Sequence, residues 1–530
     1  MALEIPERFN IASWFVDRPA GEHPGRIAIL GEPYAVSYRE LQELTNRTGN
    51  ALRKLGCQAG DRVLIILPDS VEFIAAFFGA AKIGAVAVPV NPLAKSADLN
   101  FYQSNCGARF AVLHVSVLPE LLQAPGAIET KWIVVGDSAP ELIKEKCRID
   151  WENWNEWIRA ASPDLEANPT SAHDTAFLLH TSGSSGRPKA VVHQHKDMYA
   201  TSRCFAREVL GTRSEDRTFS VSKLFFAYGL GNAMYFPLSV GASTILNPER
   251  TKVEKVAALI AKHRPTIFFA VPTFFAALLH DSAAGLPVDL SSVRLVVSAG
   301  EPLPEEIFTQ FKDRFGLEIL DGIGSTEMLQ TFISNRPGEV RPGSCGLPVS
   351  GYEAQIVDEN GEPVPGGDIG TLCVKGESAF AGYWNQPEMT ARAKVGKWVI
   401  TGDKFFQDAD GYFYYYGRAD DMMKVSGMWV SPAEVENALL GHQDVSEAAV
   451  VGVSDAAGLL KTVAFVVLRE GNYSSERITG EIQEFVRKRL APYKCPRQVR
   501  IVAELPKTAT GKIQRFLLRD KFRKERSESA

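Results

Sequence analysis

FLLHTSGSSGRPKAVVHQH, residues 177–195, is the stretch on which the reading of this chain turns. An apolar, strand-like run enters Thr181-Ser182-Gly183-Ser184-Ser185-Gly186-Arg187-Pro188-Lys189, after which the chain becomes apolar again. Glycines admit positive φ and let backbone N–H groups come close to a phosphate. The hydroxyls add donors and Lys189 adds a positive charge. A Walker loop needs a lysine followed by Ser or Thr opening a helix. Here Pro188 precedes the lysine and Ala190 follows it, so that motif fails. From its residues alone the loop is either a nucleotide-phosphate cradle or a Ser/Gly surface loop.

On both sides of this loop, buried strands alternate with helices. RVLIILP (62–68) reads as a strand, SVEFIAAFFGAAKIG (70–84) as a helix and AVAVPV (85–90) as the next strand. TIFFAVP (266–272) and VRLVVSAG (293–300) are further apolar runs that end in Pro or Gly. Strands buried on both faces between helices imply a layered α/β architecture with largely parallel sheets. From about Gly343 the texture changes to short strands split by Gly- and Asp-rich turns, as in VDENGEPVPGGDIG (357–370) and DADGYFYYYGR (408–418), a β-hairpin pattern. After GRADD (417–421) come a helix at 432–440, strands near 447–453 and 463–468, and a helix near 476–490. The expected organisation is a large N-terminal domain, residues 1–419, and a small α+β C-terminal domain, residues 420–530.

Size and composition agree with this. At 530 residues the chain exceeds one hydrophobic core, and 45% hydrophobic with 23% charged residues is ordinary globular composition. A formal charge of −5 offers no broad field to a polyanion, and the basic tract Arg519, Lys521, Arg523, Lys524 and Arg526 reads as a solvated helix end, so no nucleic acid is expected. The seven cysteines, Cys57, Cys106, Cys147, Cys204, Cys345, Cys373 and Cys495, lack CxxC spacing and fit reduced thiols. The run Phe73 to Val90 is broken by Lys82, Gly84 and Pro89, and MALEIPERFN is no signal peptide. A soluble cytoplasmic protein without a membrane partner is the expectation.

TSGSSGRPK resembles the phosphate loop of the adenylate-forming superfamily, which includes acyl-CoA synthetases, luciferases and carrier-loading adenylation domains. SAGEPLP (298–304), DGIGSTEM (321–328), GYWNQPEMT (382–390), TGD (401–403), GRADDMMKVSG (417–427) and PKTATGKIQR (506–515) resemble its other motifs, in the family's order. The resemblance implies ATP, Mg²⁺ and CoA as cofactors and co-substrates. It places Thr181, Ser182, Gly183, Ser184, Ser185, Gly186 and Lys189 on the β- and γ-phosphates, with Thr181 also serving catalysis and the metal. It sets Gly300, Glu301 and Pro302 against the adenine, and Asp321, Gly322, Ile323, Gly324 and Ser325 along the nucleotide. Thr326 and Glu327 would contact the α-phosphate and Mg²⁺, since a hard cation between phosphates needs an oxygen ligand. Asp403 would accept from the ribose hydroxyls, with Arg418 in support. Outside the motifs, such a Glu would be read as a helix-cap residue and such an Asp as a turn residue. Lys512, otherwise a solvated lysine, would stabilise the charge of the adenylation transition state. Asp420 corresponds to the hinge about which the small domain turns, and Lys424, Val425, Ser426, Gly427 and Trp429 to the CoA tunnel.

KLFFAYGLGN (223–232), DGIGSTEML (321–329) and APYKCPR (491–497) are most similar to the benzoate–CoA ligase branch. By that resemblance Phe226, Ala227, Tyr228 and Gly229 line the acyl pocket, and a flat apolar wall suits an aromatic ring. Two departures stand out. Benzoate ligases typically follow TEML with His-Ile, where this chain has Gln330-Thr331, and polar atoms left unpaired against a ring disfavour an unsubstituted one. A hydroxy- or amino-benzoate is therefore expected. Ala190 replaces a Gly common in relatives, which matters only if the position needs positive φ. The alternatives are a stand-alone aryl-acid adenylation enzyme that loads a carrier protein, a luciferase-like oxygenase and a non-catalytic nucleotide-binding scaffold. The benzoate-like pocket and the lack of a carrier domain favour free CoA, and Lys512, Glu327 and Asp403 are all retained. The expected assembly is a monomer or homodimer.

Overall fold

The computed structural model describes residues 4–121, 130–136, 151–182, 188–249, 251–419, 421–425, 428–454, 460–469, 475–507 and 513–528. The strand–helix–strand unit read at 62–90 forms as strand Arg62–Ile66, helix Val71–Lys82 and strand Val86–Pro89. Ser70 caps this helix by accepting from Phe73 N, and eleven of its twelve residues are buried, Glu72 being the exception. A helix apolar on every side must be covered on every side. The helix Tyr38–Lys54, with a Ser37/Glu40 capping box, packs against it.

Two large mixed sheets carry the N-terminal part. In one, the order is Leu347–Pro348, Thr331–Ser334, Ile319–Gly324, Leu295–Ser298, Ile267–Ala270, Arg217–Ser220, Ser243–Ile245, Ile27–Leu30, Ala35–Ser37. In the other it is Gly382–Tyr383, Pro188–Gln194, Thr175–Ser182, Val86–Pro89, Arg62–Ile66, Phe110–His114, Lys131–Val135, Trp151–Asn153. The centres are parallel, as the continuous apolar runs imply. Antiparallel strands are added at the ends of the sheets, and those additions carry the motifs: Pro188–Gln194 beside Thr175–Ser182, and Thr331–Ser334 beside Ile319–Gly324. The hairpin-rich region beyond Gly343 forms an antiparallel sheet of Tyr352–Val357, Gly370–Gly376, Trp398–Gln407, Lys394–Val395 and Phe413–Arg418.

A smaller C-terminal part follows. Strands Val445–Ser454 and Leu460–Leu468 pair antiparallel, Gln498–Ile501 joins in parallel, and helices Pro432–Leu440, Ser475–Arg487 and Arg515–Glu528 complete it. Buried apolar clusters in the described residues fall within either 9–413 or 423–522. The six described cysteines are free and buried, and among the described residues no helix is long and apolar enough to cross a membrane.

Candidate active site

The phosphate-loop motif sits at the tip of an antiparallel hairpin, with Thr181 opposite Lys189 and Ser182 opposite Pro188. Gly183, Ser184, Ser185 and Gly186 lie outside the described residues. Ala190 is a buried strand residue opposite His180 and takes no positive φ, so the methyl is accommodated without strain. His180, next to Thr181, is deeply placed with neither ring nitrogen hydrogen-bonded, and burial pushes its pKa down to about 4.

The Thr326–Glu327 pair rides on a single 3-10 turn, Thr326–Met328, between two antiparallel strands. Ser325 caps the turn, accepting from Met328 N at 3.2 Å. The chain reverses through Leu329 at φ +66, a region costly for a branched side chain, so packing around the turn must hold it there. It is held from two sides. His193 Nε2 lies 2.8 Å from Thr326 O, and since a carbonyl only accepts, the ring N–H donates; Nδ1 lies 2.9 Å from Asp197 Oδ2. On the other side, Phe380 N donates to Glu327 O at 2.8 Å and Ser378 Oγ to Met328 O at 2.8 Å. The Glu327 carboxylate accepts from Tyr383 OH through Oε1 at 2.7 Å. Burial, and then the neighbouring Glu327, raise the Tyr383 pKa, so the phenol stays a donor. Lys189 Nζ stands 5.3 Å from the Tyr383 ring centroid, so the loop cation and the acid of the turn meet on one tyrosine.

The family resemblance implies one site for Thr181, Lys189 and Glu327, but not the aromatic link between the last two. GYW was legible as a motif, yet Tyr383 itself carried no role. His193, Asp197 and Ser378 were equally silent, although the four-residue spacing of His193 and Asp197 on entry to a helix is a pairing signal.

The residues expected along the nucleotide cluster at strand ends. Ser298, Asp321 and Ala270 end or line adjacent parallel strands, with Ser298 in register with Asp321. Asp321 is buried, and desolvation lifts its pKa from 3.8 to about 8. Gly300 takes φ +94 where the chain leaves the strand for Glu301 and Pro302. Asp403 is opposite Arg418 in the β-register, and Arg418 Nη1 reaches Asp403 Oδ1 at 3.0 Å.

The residues expected to line the acyl pocket are also held in place. Tyr228 OH donates toward Val297 O at 3.2 Å and its ring meets Phe269 edge-on, while Phe226 packs on Phe225 with centroids 4.3 Å apart. At Gly229 any Cβ would strike Lys223 O, so only glycine fits. Gln330 and Thr331 are both buried, and here the sequence argument needs correction, because their polar atoms are not left unpaired. Gln330 Nε2 donates to Tyr228 O at 3.0 Å, and Gln330 Oε1 accepts from Thr331 N at 3.1 Å and Thr331 Oγ1 at 3.2 Å. The amide is spent on holding the 227–228 backbone in place.

Asp420, Ser426, Gly427 and Lys512 lie outside the described residues, as do the side chains of Lys424 and Trp429. Val425 is buried and pairs with Met428 in the hairpin Met423–Val425/Met428–Val430. Three residues after Lys512, Arg515 is fixed: Nη2 reaches Glu436 Oε2 at 2.6 Å, Nε reaches Oε1 at 3.0 Å, and Nη1 lies 3.6 Å from Asp421 Oδ2. Among the described residues no cluster of three or more His, Cys, Asp or Glu could cage a metal. One carboxylate with an oxygen to spare suits a cation shared with phosphates rather than one held by protein alone.

The sequence profile of the family described as AMP-binding enzyme matches residues 16–384, and that of the AMP-binding enzyme C-terminal domain matches 434–512. The benzoate–CoA ligase of Thauera aromatica is 42% identical over 523 residues, covering 98% of this chain and 97% of that one. The anthranilate CoA ligase AuaEII, solved with anthranoyl-AMP, superposes with a TM-score of 0.93 at 39% identity over 99% of each chain. A benzoate CoA ligase from Burkholderia xenovorans gives a TM-score of 0.89 at 42% identity, covering 96% of this chain and all of the other. With one profile spanning most of the chain and full-length relatives well above 30% identity, this chain belongs to the AMP-binding enzyme family.

Proposed function

We infer that the chain is an AMP-forming arylcarboxylate–CoA ligase, converting ATP, an aromatic acid and CoA to aryl-CoA, AMP and diphosphate through an acyl-adenylate. The observation that carries this is the single constellation of loop cation, turn acid and aromatic wall: Lys189 and Glu327 share Tyr383, while Gln330, three residues on from Glu327, fixes the Tyr228 backbone.

A carboxylate is a poor electrophile. In the first half-reaction a carboxylate oxygen of the acid attacks the α-phosphorus of ATP and diphosphate leaves. Thr181, the loop amides and Lys189 would bind the outer phosphates, and Thr326 the α-phosphate. Glu327, with Thr181, would hold Mg²⁺, which when bound supplies neutralising charge to the phosphates. Asp403 and Arg418 would hold the ribose, and Gly300, Glu301, Pro302 and the strand end at Asp321 the base. Lys512 would meet the charge growing on the attacking oxygen and α-phosphate. In the second half-reaction the CoA thiol, giving up its proton, attacks the acyl carbon and AMP departs with the electron pair of the acyl–oxygen bond. We place the boundary between the two parts at Asp420, with rotation there exchanging Lys512 for the 424–429 segment.

We propose further that the ring carries a hydroxyl or amino group. Support comes from Asn232, buried beside Gln330 with its Nδ2 not hydrogen-bonded among the described residues, and from relatives named for hydroxybenzoates and for anthranilate. AMP release on a matched panel of benzoate, hydroxybenzoates and aminobenzoates, with and without CoA, tests both levels. CoA-dependent turnover of an aryl acid is expected, fastest with a substituted ring. Diphosphate release that CoA fails to accelerate would instead favour carrier-protein loading, and a clear preference for benzoate would remove the substituent.

A further inference from the structure

Glu327 presents its carboxylate to the phosphate site with one oxygen already engaged. Tyr383 OH donates to Oε1 at 2.7 Å, and among the described residues Oε2 accepts nothing. The donor cannot swing aside, because Tyr383 is fixed at every level. Its backbone pairs with Val191 in the phosphate-loop hairpin, and its N–H donates to Thr390 Oγ1 at 2.9 Å. The residue is 8% exposed, and its ring meets Phe380 edge-on at 4.9 Å. Phe380 in turn donates its N–H to Glu327 O, so the segment that holds the tyrosine also holds the backbone of the acid.

Cations differ in what they ask of a carboxylate. Mg²⁺ demands near-octahedral geometry and takes one oxygen from each of one or two carboxylates, together with phosphates and water; Ca²⁺ takes more ligands and favours a carboxylate that chelates through both oxygens. An oxygen capped by a fixed phenol is a weak chelating partner, since its electron density is shared with the O–H. We propose that Tyr383 is a positioning residue that restricts Glu327 to one-oxygen coordination and so biases the ATP site toward Mg²⁺ over Ca²⁺. This rests on the assignment of Glu327 to the cation made above.

The test is equilibrium binding of ATP to the full chain by calorimetry, without acid or CoA so that nothing turns over, in saturating Mg²⁺ or Ca²⁺. Tyr383→Phe keeps the ring and removes the donor. The expected result is that the Mg²⁺-over-Ca²⁺ ratio of ATP dissociation constants rises by about fivefold, the weight of one hydrogen bond. The shift should vanish when Tyr383→Phe is made in a Glu327→Gln background. Equal weakening with both cations, or a shift that persists beside Glu327→Gln, overturns the proposal. If Glu327→Gln alone leaves cation-dependent ATP binding unchanged, the assignment of Glu327 fails as well. If it alters binding while Tyr383→Phe does not move the ratio, only the role of Tyr383 fails. Should Tyr383→Phe not fold, infrared difference spectra of the wild type on adding Mg²⁺ and ATP decide the matter. Carboxylate bands that Glu327→Gln removes should have the wide splitting of one-oxygen coordination; the narrow splitting of a chelate overturns it.

Discussion

The two parts of this molecule are held together in different ways. The N-terminal part rests on a continuous apolar cluster from Phe9 to Phe413, in which Phe15 stacks on Phe78 and meets Tyr235 edge-on, and Phe77 meets Phe78 edge-on. Its candidate-site elements are positioned by strand register and by main-chain hydrogen bonds against that core. The C-terminal part has smaller clusters on the two faces of a three-stranded sheet, and ion pairs bind its segments: Arg515 to Glu436, Lys494 to Glu434 and Lys507 to Glu447, each at 2.6 Å. Apolar burial is non-directional and grows with area, whereas paired charges are directional and local. A part that rotates as a unit, as proposed for this one, can thus keep its geometry with little core, provided that its charges stay paired.

The strongest challenge to this contrast is Arg515→Ala. It leaves the nearly buried Glu436 carboxylate without its main partner, a change that typically costs about 3–5 kcal/mol. Hydrogen exchange should show loss of protection across 432–522 with the N-terminal part unaffected; equal loss in both parts would erase the distinction. Next in size, Lys512→Ala should slow adenylation ~10²–10³-fold. Thiolysis of a supplied acyl-adenylate should stay within about threefold, because that step would use the other orientation. Single-turnover diphosphate release and CoA consumption separate the two, and full adenylation without the lysine would contradict its role.

A third effect concerns pH and the N-terminal part. Asp321 binds its proton more tightly in the folded chain, with a pKa of about 8 against 3.8. Its contribution is complete below about pH 4 and is lost as pH rises toward about 8. Asp321→Asn should flatten the pH dependence of the melting temperature across that window, and an unchanged profile would refute the shift. Smallest is Ser37→Ala, which removes one half of a capping box and should cost about 1 kcal/mol. The loss should register as lower global stability of the N-terminal part by calorimetry, since its helix shares the continuous core; local fraying alone would argue against that cooperativity.

Much of this was legible in the sequence because apolar periodicity and turn residues are local signals. The unit at 62–90 and the helix at 432–440 formed where the runs placed them. The antiparallel additions at the sheet ends were not legible, because pairing partners distant in sequence leave no local trace; the run 188–194 reads the same whichever neighbour it takes. The same limit explains Tyr383 and Gln330. One was visible only as part of a motif. The other looked like an unpaired polar group until the fold supplied the backbone carbonyl of Tyr228, about a hundred residues away in sequence.

Leu329 draws these threads into an evolutionary constraint. Glycine there would relieve the left-handed backbone at φ +66, yet the side chain is fully buried immediately before Gln330, and its removal would leave a void next to the proposed aryl wall. Backbone relief and side-chain packing therefore pull in opposite directions at this one position. Searches for thermostable variants should find few gains in the 325–331 turn, and any found there should be paid for in substrate discrimination.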